Sequence, residues 1–150
     1  MGHISIVYGN IIGATWKTDD FHKLHRLNKS IILNLAESDE NFPWITKHMF
    51  LVSDPDKHQM YRDQVIVFGA SYKSVEHEWD VWLEKFERIL KLLYWTSATI
   101  HLETELVGKH CYNWTMDIDQ MDNLFLDNPK PISKWTFEGG PRKFFNEEMV

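Results

Sequence analysis

The order of periodic segments in this sequence predicts an α+β fold, a single domain with two helices on one face of an antiparallel or mixed sheet. Three observations carry the prediction. Several short segments alternate residue character with the period of two that strands show, and two longer segments repeat apolar residues at the three- and four-residue steps of amphipathic helices. The two kinds follow one another as strand, helix, strand, strand, helix, strand, strand. That is a split β-α-β order of the ferredoxin-like kind (βαββαβ) extended by a final hairpin strand, and its crossovers are expected to be right-handed.

Ile4, Ile6 and Tyr8 alternate with Ser5, Val7 and Gly9, and apolar residues resume through Ile11, Ile12, Ala14 and Trp16. The segment 3–16 is therefore one strand bulged near Gly9-Asn10 or a hairpin turning there. Thr18 suits a helix N-cap and Asp19 and Asp20 suit a first turn, after which Phe21, Leu24, Leu27, Ile31 and Leu35 define one apolar stripe. The polar stretch Glu37 to Trp44, with Pro43, reads as a loop. His48 to Val52 and Gln64 to Ala70 read as strands joined through a turn that starts at Asp54-Pro55-Asp56. Because Val65-Ile66-Val67-Phe68 is apolar on both alternating sets, that strand is expected to be central and covered on both faces.

Ser74 suits the cap of the second helix, with Glu76 and Glu78 in its first turn. Trp79, Trp82, Phe86, Ile89 or Leu90, and Leu93 form its buried stripe. The runs Thr96 to Leu106 and His110 to Asp117 flank Gly108-Lys109 and predict a hairpin. A two-residue loop would set Tyr112, Trp114 and Met116 beside Glu103 and Glu105. A three-residue loop, Gly108 to His110, pairs Val107 with Cys111 and gathers Leu102, Thr104, Leu106, Tyr112 and Trp114 on one face. The outer face then holds His101, Glu103, Glu105, Asn113, Thr115 and Asp117. From residue 118 to 150 the chain reads as a looser C-terminal tail.

Composition narrows the function classes. The chain has 150 residues, 43% hydrophobic and 14% aromatic, which is ample for a packed core and argues against disorder. No uncharged apolar run approaches the roughly 18 residues that cross a bilayer, so no membrane partner is expected. A net charge of −6 opposes the phosphate attraction on which nucleic-acid binding depends, so no nucleic acid is expected either. One cysteine, Cys111, makes no internal disulfide, and Met1 to Tyr8 lacks the basic and long apolar parts of a secretory signal; the expected location is cytoplasmic.

Chemistry is sparsely signalled. There is no Gly-x-Ser-x-Gly elbow, and Gly139-Gly140 has no strand and helix around it that would make a phosphate loop. His101, Glu103 and Glu105 on one hairpin face offer a catalytic or metal-binding alternative, since crowded carboxylates have raised pKa values. The same pattern marks the solvated side of any half-exposed hairpin. His22 and His25 lie three apart, yet with Lys23 and Arg26 beside them they read as a polar helix face. Arg142, Lys143, Phe144 and Phe145 read as a tail packing on its own domain. The sequence implies no metal and no cofactor.

Charge is uneven. Residues 1–75 carry 8 basic and 8 acidic side chains, and residues 76–150 carry 8 and 14, so all of the −6 falls in the second half. Asp80, Glu84 and Glu87 lie opposite the Trp79, Trp82 and Phe86 stripe. With Glu103, Glu105 and Asp117 they suggest an acidic surface for a basic protein partner. In this general character, from Ile4 to Asp117, the chain resembles the small acidic α+β immunity proteins that accompany bacterial toxins. The resemblance implies a non-enzymatic protein-binding module that inhibits by covering the active surface of a basic toxin or enzyme, and it assigns no individual residue. A small-ligand or metal-dependent enzyme using His101, Glu103 and Glu105 is the alternative, and a homo-oligomer that pairs sheet faces is a third reading.

Overall fold

The computed structural model describes residues 3–13, 21–53, 63–124 and 126–145. Its elements are β1 (Ile4–Gly13), α1 (Phe21–Leu33), β2 (Phe50–Leu51), β3 (Val65–Lys73), α2 (Trp79–Leu90), β4 (Trp95–Thr104), β5 (Gly108–Met116), α3 (Met121–Leu124) and β6 (Trp135–Gly139). The strands form one six-stranded sheet in the order β2-β3-β1-β4-β5-β6, antiparallel at every pairing. β1 lies between β3 and β4. α1 and α2 therefore each connect two strands that leave room for a third between them: β1 and β2 enclose β3, and β3 and β4 enclose β1.

β1 runs unbroken through Gly9, which settles the choice between strand and hairpin. Gly9 sits opposite both Phe68 and Ile100. A Cβ there would fall 2.0 Å from the Thr99 carbonyl oxygen, so close approach of β4 is what requires the glycine, not a turn. The smaller members of the alternation, Ser5, Val7 and Ile11, are buried, while Ile4, Ile6 and Tyr8 point to the other side of the sheet. Buried Ser5 is fully used: its hydroxyl donates to the Tyr72 carbonyl (3.2 Å) and accepts the Val75 N–H (3.0 Å).

The stripe of α2 is as the spacing predicts, with Trp79, Trp82, Phe86, Leu90 and Leu93 all buried. Trp79 stacks on Trp82 and Trp82 on Phe86, with ring centroids 5.0 and 5.4 Å apart, and these rings rest on Phe68, Tyr112 and Trp114. Its entry differs from expectation. Ser74 does not cap the helix; at φ 56° it exchanges hydrogen bonds with His3, and a 3-10 turn, Val75–Glu78, leads into α2. Glu76, expected on the first turn's surface, is 1% exposed.

In α1 the buried line is rotated from the predicted stripe. Leu24, His25, Asn28 and Ile32 are buried, and Leu27, Ile31 and Leu35 are only partly so. Asn28 explains the rotation. Its side chain donates to the Tyr94 carbonyl and accepts the Tyr94 N–H, both at 2.8 Å, and also reaches Gln64, tying α1 to the start of β4 and the approach to β3. His25 is thus buried and not on a polar face, and burial pushes its pKa down to about 4. The proposed cap Thr18 with Asp19 and Asp20, and the turn at Asp54-Pro55-Asp56, lie outside the described residues.

Three further expectations are corrected. The strand expected over His48 to Val52 is reduced to Phe50–Leu51, preceded by a 3-10 turn at Lys47–Met49. β3 is internal but covered on one face only: Ile66 and Phe68 are buried, whereas Val65 and Val67 are 46% and 41% exposed. The segment after residue 118 is not loose up to Gly139. Leu124 and Ile132 are buried, and β6 pairs with β5 from Tyr112↔Gly139 to Met116↔Trp135.

The β4–β5 hairpin has a three-residue turn, but the turn is Glu105, Leu106 and Val107, because Thr104 pairs with Gly108 and His101 with Cys111. The predicted Val107–Cys111 pairing is therefore displaced. The facing is unchanged, because the displacement preserves the period of two: Ala98, Ile100, Leu102, Tyr112 and Trp114 are all buried together.

Candidate functional site

Both helices contribute to one core on one side of the sheet, and among the described residues no helix or strand packs on the other side. This open face is set by register. Successive cross-strand rows read Ser71, Ile6, Glu103, Lys109; then Gly69, Tyr8, His101, Cys111; then Val67, Asn10, Thr99, Asn113, Glu138. Its β1–β3 half is apolar, with Ile4, Ile6, Val65 and Val67 all more than 40% exposed. Its β4–β5 half is polar.

Tyr8 joins the two halves. Its ring stacks on His101 at 5.0 Å and its hydroxyl donates a short hydrogen bond to the Glu103 carboxylate. That bond, seconded by the Lys109 ammonium 3.7 Å from the carboxylate, holds the Glu103 pKa below the ordinary glutamate value and raises that of the Tyr8 phenol. Beside them the Cys111 thiol is exposed and receives a weak contact from the Asn113 amide at 3.8 Å, while Thr99 donates to the Asn113 oxygen at 2.9 Å. The result is a shallow hollow between Tyr8, His101, Glu103, Lys109 and Cys111. Among the described residues no three His, Cys, Asp or Glu side chains converge as metal ligands.

The structure divides the predicted site. His101 and Glu103 share the open face, but Glu105 is carried into the turn, where its carboxylate lies 3.5 Å from the His3 imidazole. Asp117 follows β5 at its far end, roughly 26 Å along the strand from the Glu103–Lys109 row at 3.3 Å per residue. It accepts a hydrogen bond from Thr136. Asp80 and Glu84 lie on α2, and so on the opposite side of the sheet from Glu103. One continuous acidic surface from α2 to the hairpin face is therefore not formed.

Glu87 is a further correction, because it is not available to a partner. Its side chain is 16% exposed, accepts the indole N–H of Trp114 at 2.9 Å, and pairs with both guanidinium nitrogens of Arg142 at 2.5 and 3.2 Å. Arg142 also lies over the Phe137 ring, and Phe144 and Phe145 rest on His110 and His77, so this segment packs on its own domain as the sequence suggests.

Two parts of the molecule were hidden from motif reasoning. Tyr8 is one: its place in a strand alternation was visible, but its pairing with Glu103, 95 residues away, depends on sheet order. The other is the loop Glu37 to Trp44. Lys85 of α2 donates to Asp39 (2.7 Å) and to the carbonyls of Asn41 and Pro43. Burial pushes the Asp39 pKa up, but Lys85 and the N–H groups of Asn41 and Ile45 outweigh it and leave the carboxyl below its ordinary value. Comparison with known protein families, curated proteins and solved structures returns no match.

Proposed function

We propose that this chain is a non-enzymatic protein-binding module that works through the open face of its sheet, in the manner of an inhibitor that covers a partner's active surface. The observation that carries the reading is a row of exposed apolar side chains along the β1–β3 half, Ile4 and Ile6 toward one end and Val67 and Val65 toward the other with Tyr8 between them, on a sheet face that no described element covers. Exposed apolar surface rimmed by polar residues is a usual mark of a protein contact. Glu103 and Glu105 stand at its margin, and with the net charge of −6 they favour a partner whose own apolar surface is bordered by basic residues. No helix among the described residues is long and apolar enough to cross a membrane.

The test is calorimetric titration against the product of the adjacent gene, using wild type, Ile6→Arg with Val67→Arg, and Asp80→Lys with Glu84→Lys. The first pair disrupts the patch and should abolish binding. The second lies across the sheet and should leave it intact. Loss of binding in the helix pair but not in the sheet pair, or no binding by wild type, overturns the proposal.

A further inference from the structure

Among the described residues β6 is the outermost strand at its end of the sheet, and its outer edge is well matched to itself. The backbone directions follow from two hydrogen bonds: Asp117 N–H donates to the Lys134 carbonyl, and Gly140 N–H donates to the Cys111 carbonyl. Because direction alternates along a strand, Lys134, Thr136, Glu138 and Gly140 turn their backbone groups toward β5. Trp135, Phe137 and Gly139 turn theirs away from the sheet. Natural sheets protect such an edge with proline, lysine or a bulge, and Trp135–Gly139 contains none of these.

From this edge we infer that the partner of β6 is β6 of a second copy of the chain, paired antiparallel about a two-fold axis through Phe137. In that register Phe137 meets Phe137 of the other copy and Trp135 meets Gly139, so the outward-turned residues of each strand pair with those of its mate, and each pair exchanges both bonds. The side chains fit as well as the backbone. On the helix side the Trp135 indole lies over a glycine that offers no side chain of its own, an arrangement that stabilises edge glycines. On the open side Thr136 meets Glu138, so no like charges are opposed.

Charge on the neighbouring helix has the same symmetry. Glu84, Arg88, Lys91 and Trp135 line a groove between α2 and β6. Glu87, bound through Arg142 to the level of Phe137, marks the position of the axis. A two-fold rotation there sets Glu84 of one copy toward Lys91 of the other. α2 spans the sheet from Phe68 on β3 to Tyr112 and Trp114 on β5. The two open faces lie side by side on one continuous sheet, so the pairing leaves the proposed contact surface free and stands independently of it.

Sedimentation equilibrium over a micromolar concentration series tests the pairing. Wild type should show a monomer–dimer equilibrium, and amide exchange at Trp135, Phe137 and Gly139 should slow as the dimer fills. Thr136→Lys places Lys opposite Glu138 and should keep or tighten the dimer. Thr136→Lys with Glu138→Lys places like charges opposite each other twice and should raise the dissociation constant by about tenfold or more. Both positions are exposed, so the monomer should retain its fold, checked by near-ultraviolet circular dichroism. A wild type that stays monomeric throughout, or a dimer that the double variant leaves unchanged, overturns the inference.

Discussion

The indole N–H of Trp114 on β5 is capped by the carboxylate of Glu87 on α2, and Arg142, 55 residues further along the chain from Glu87, neutralises that carboxylate. A charge that reads as solvent-facing on the helix is thereby a joint between helix, sheet and the segment after β6. Removing it leaves an indole donor without its acceptor and a guanidinium without its anion. Glu87→Ala should cost about 2 to 4 kcal/mol in denaturant melts, because both partners lose satisfaction in a largely buried place. Arg142→Ala should cost less, about 1 to 2 kcal/mol, since Arg142 is 40% exposed and Trp114 keeps its acceptor. Equal losses in the two variants would mean that the Trp114 bond contributes nothing.

Phe86 occupies the centre of the aromatic layer, touching Trp82, Phe68 and Trp114 at centroid separations between 5.2 and 5.4 Å. Phe86→Ala should destabilise by about 3 to 5 kcal/mol, the transfer loss plus a cavity that the rings on three sides close poorly. Phe86→Leu should recover most of that loss. A change below about 1 kcal/mol for the alanine variant would place Phe86 outside the core.

The difference between these two residues shows what was legible. The α2 stripe is a local property: five large apolar residues at helical steps have only one way to be buried. Hairpin facing was legible for the same reason, since any turn with an odd number of residues sorts Leu102 and Trp114 from Glu103. The turn itself was misplaced, because Gly108, at φ 82°, opens β5 immediately after the turn and does not sit within it. Val65 and Val67 were read as doubly covered because apolar character on both alternating sets does not reveal that the helices share one side. Glu87, Asn28 and Tyr8 could not be read at all, because their partners Trp114, Tyr94 and Glu103 are distant in sequence and are brought close only by strand order. The acidic charges of α2 and of the hairpin stand apart for the same reason: the side of the sheet on which each segment lies is set by strand order and not by local sequence.

His25 gives a pH dependence with a definite sign. It is fully buried, and burial, seconded by His22, lowers its pKa from 6.5 to about 4. Between these values the unfolded chain holds a proton at this site that the folded chain does not, so unfolding is favoured as pH falls. The contribution is complete above pH 6.5 and is lost on approach to pH 4, amounting to roughly 3 kcal/mol. Nuclear magnetic resonance titration of the imidazole should give a midpoint near 4. His25→Leu should remove that portion of the slope of stability against pH. A midpoint near 6.5 would show that the site does not disfavour the charged ring.

The Tyr8–Glu103 bond makes a prediction about the open face that requires no partner. The phenol donates to the carboxylate, so the bonded pair favours a neutral Tyr8 and an ionised Glu103. The shifts are accordingly opposite in sign, upward for the phenol and downward for the acid. Replacing Tyr8 by Phe removes the largest cause at Glu103 and leaves Lys109 and His101 as the remaining favourable influences, so the Glu103 midpoint should rise toward, but not reach, the ordinary glutamate value. Replacing Glu103 by Gln removes the acceptor charge and should lower the Tyr8 phenol toward its ordinary value of 10. Carbon-13 labels in the tyrosine ring and the glutamate carboxyl resolve both titrations in the folded protein. Because the two groups act on one another, a change at one residue must appear at the other. Two titrations that stay independent of the partner's substitution would show that the pair does not persist in solution, and that the two halves of the open face are not joined at Tyr8.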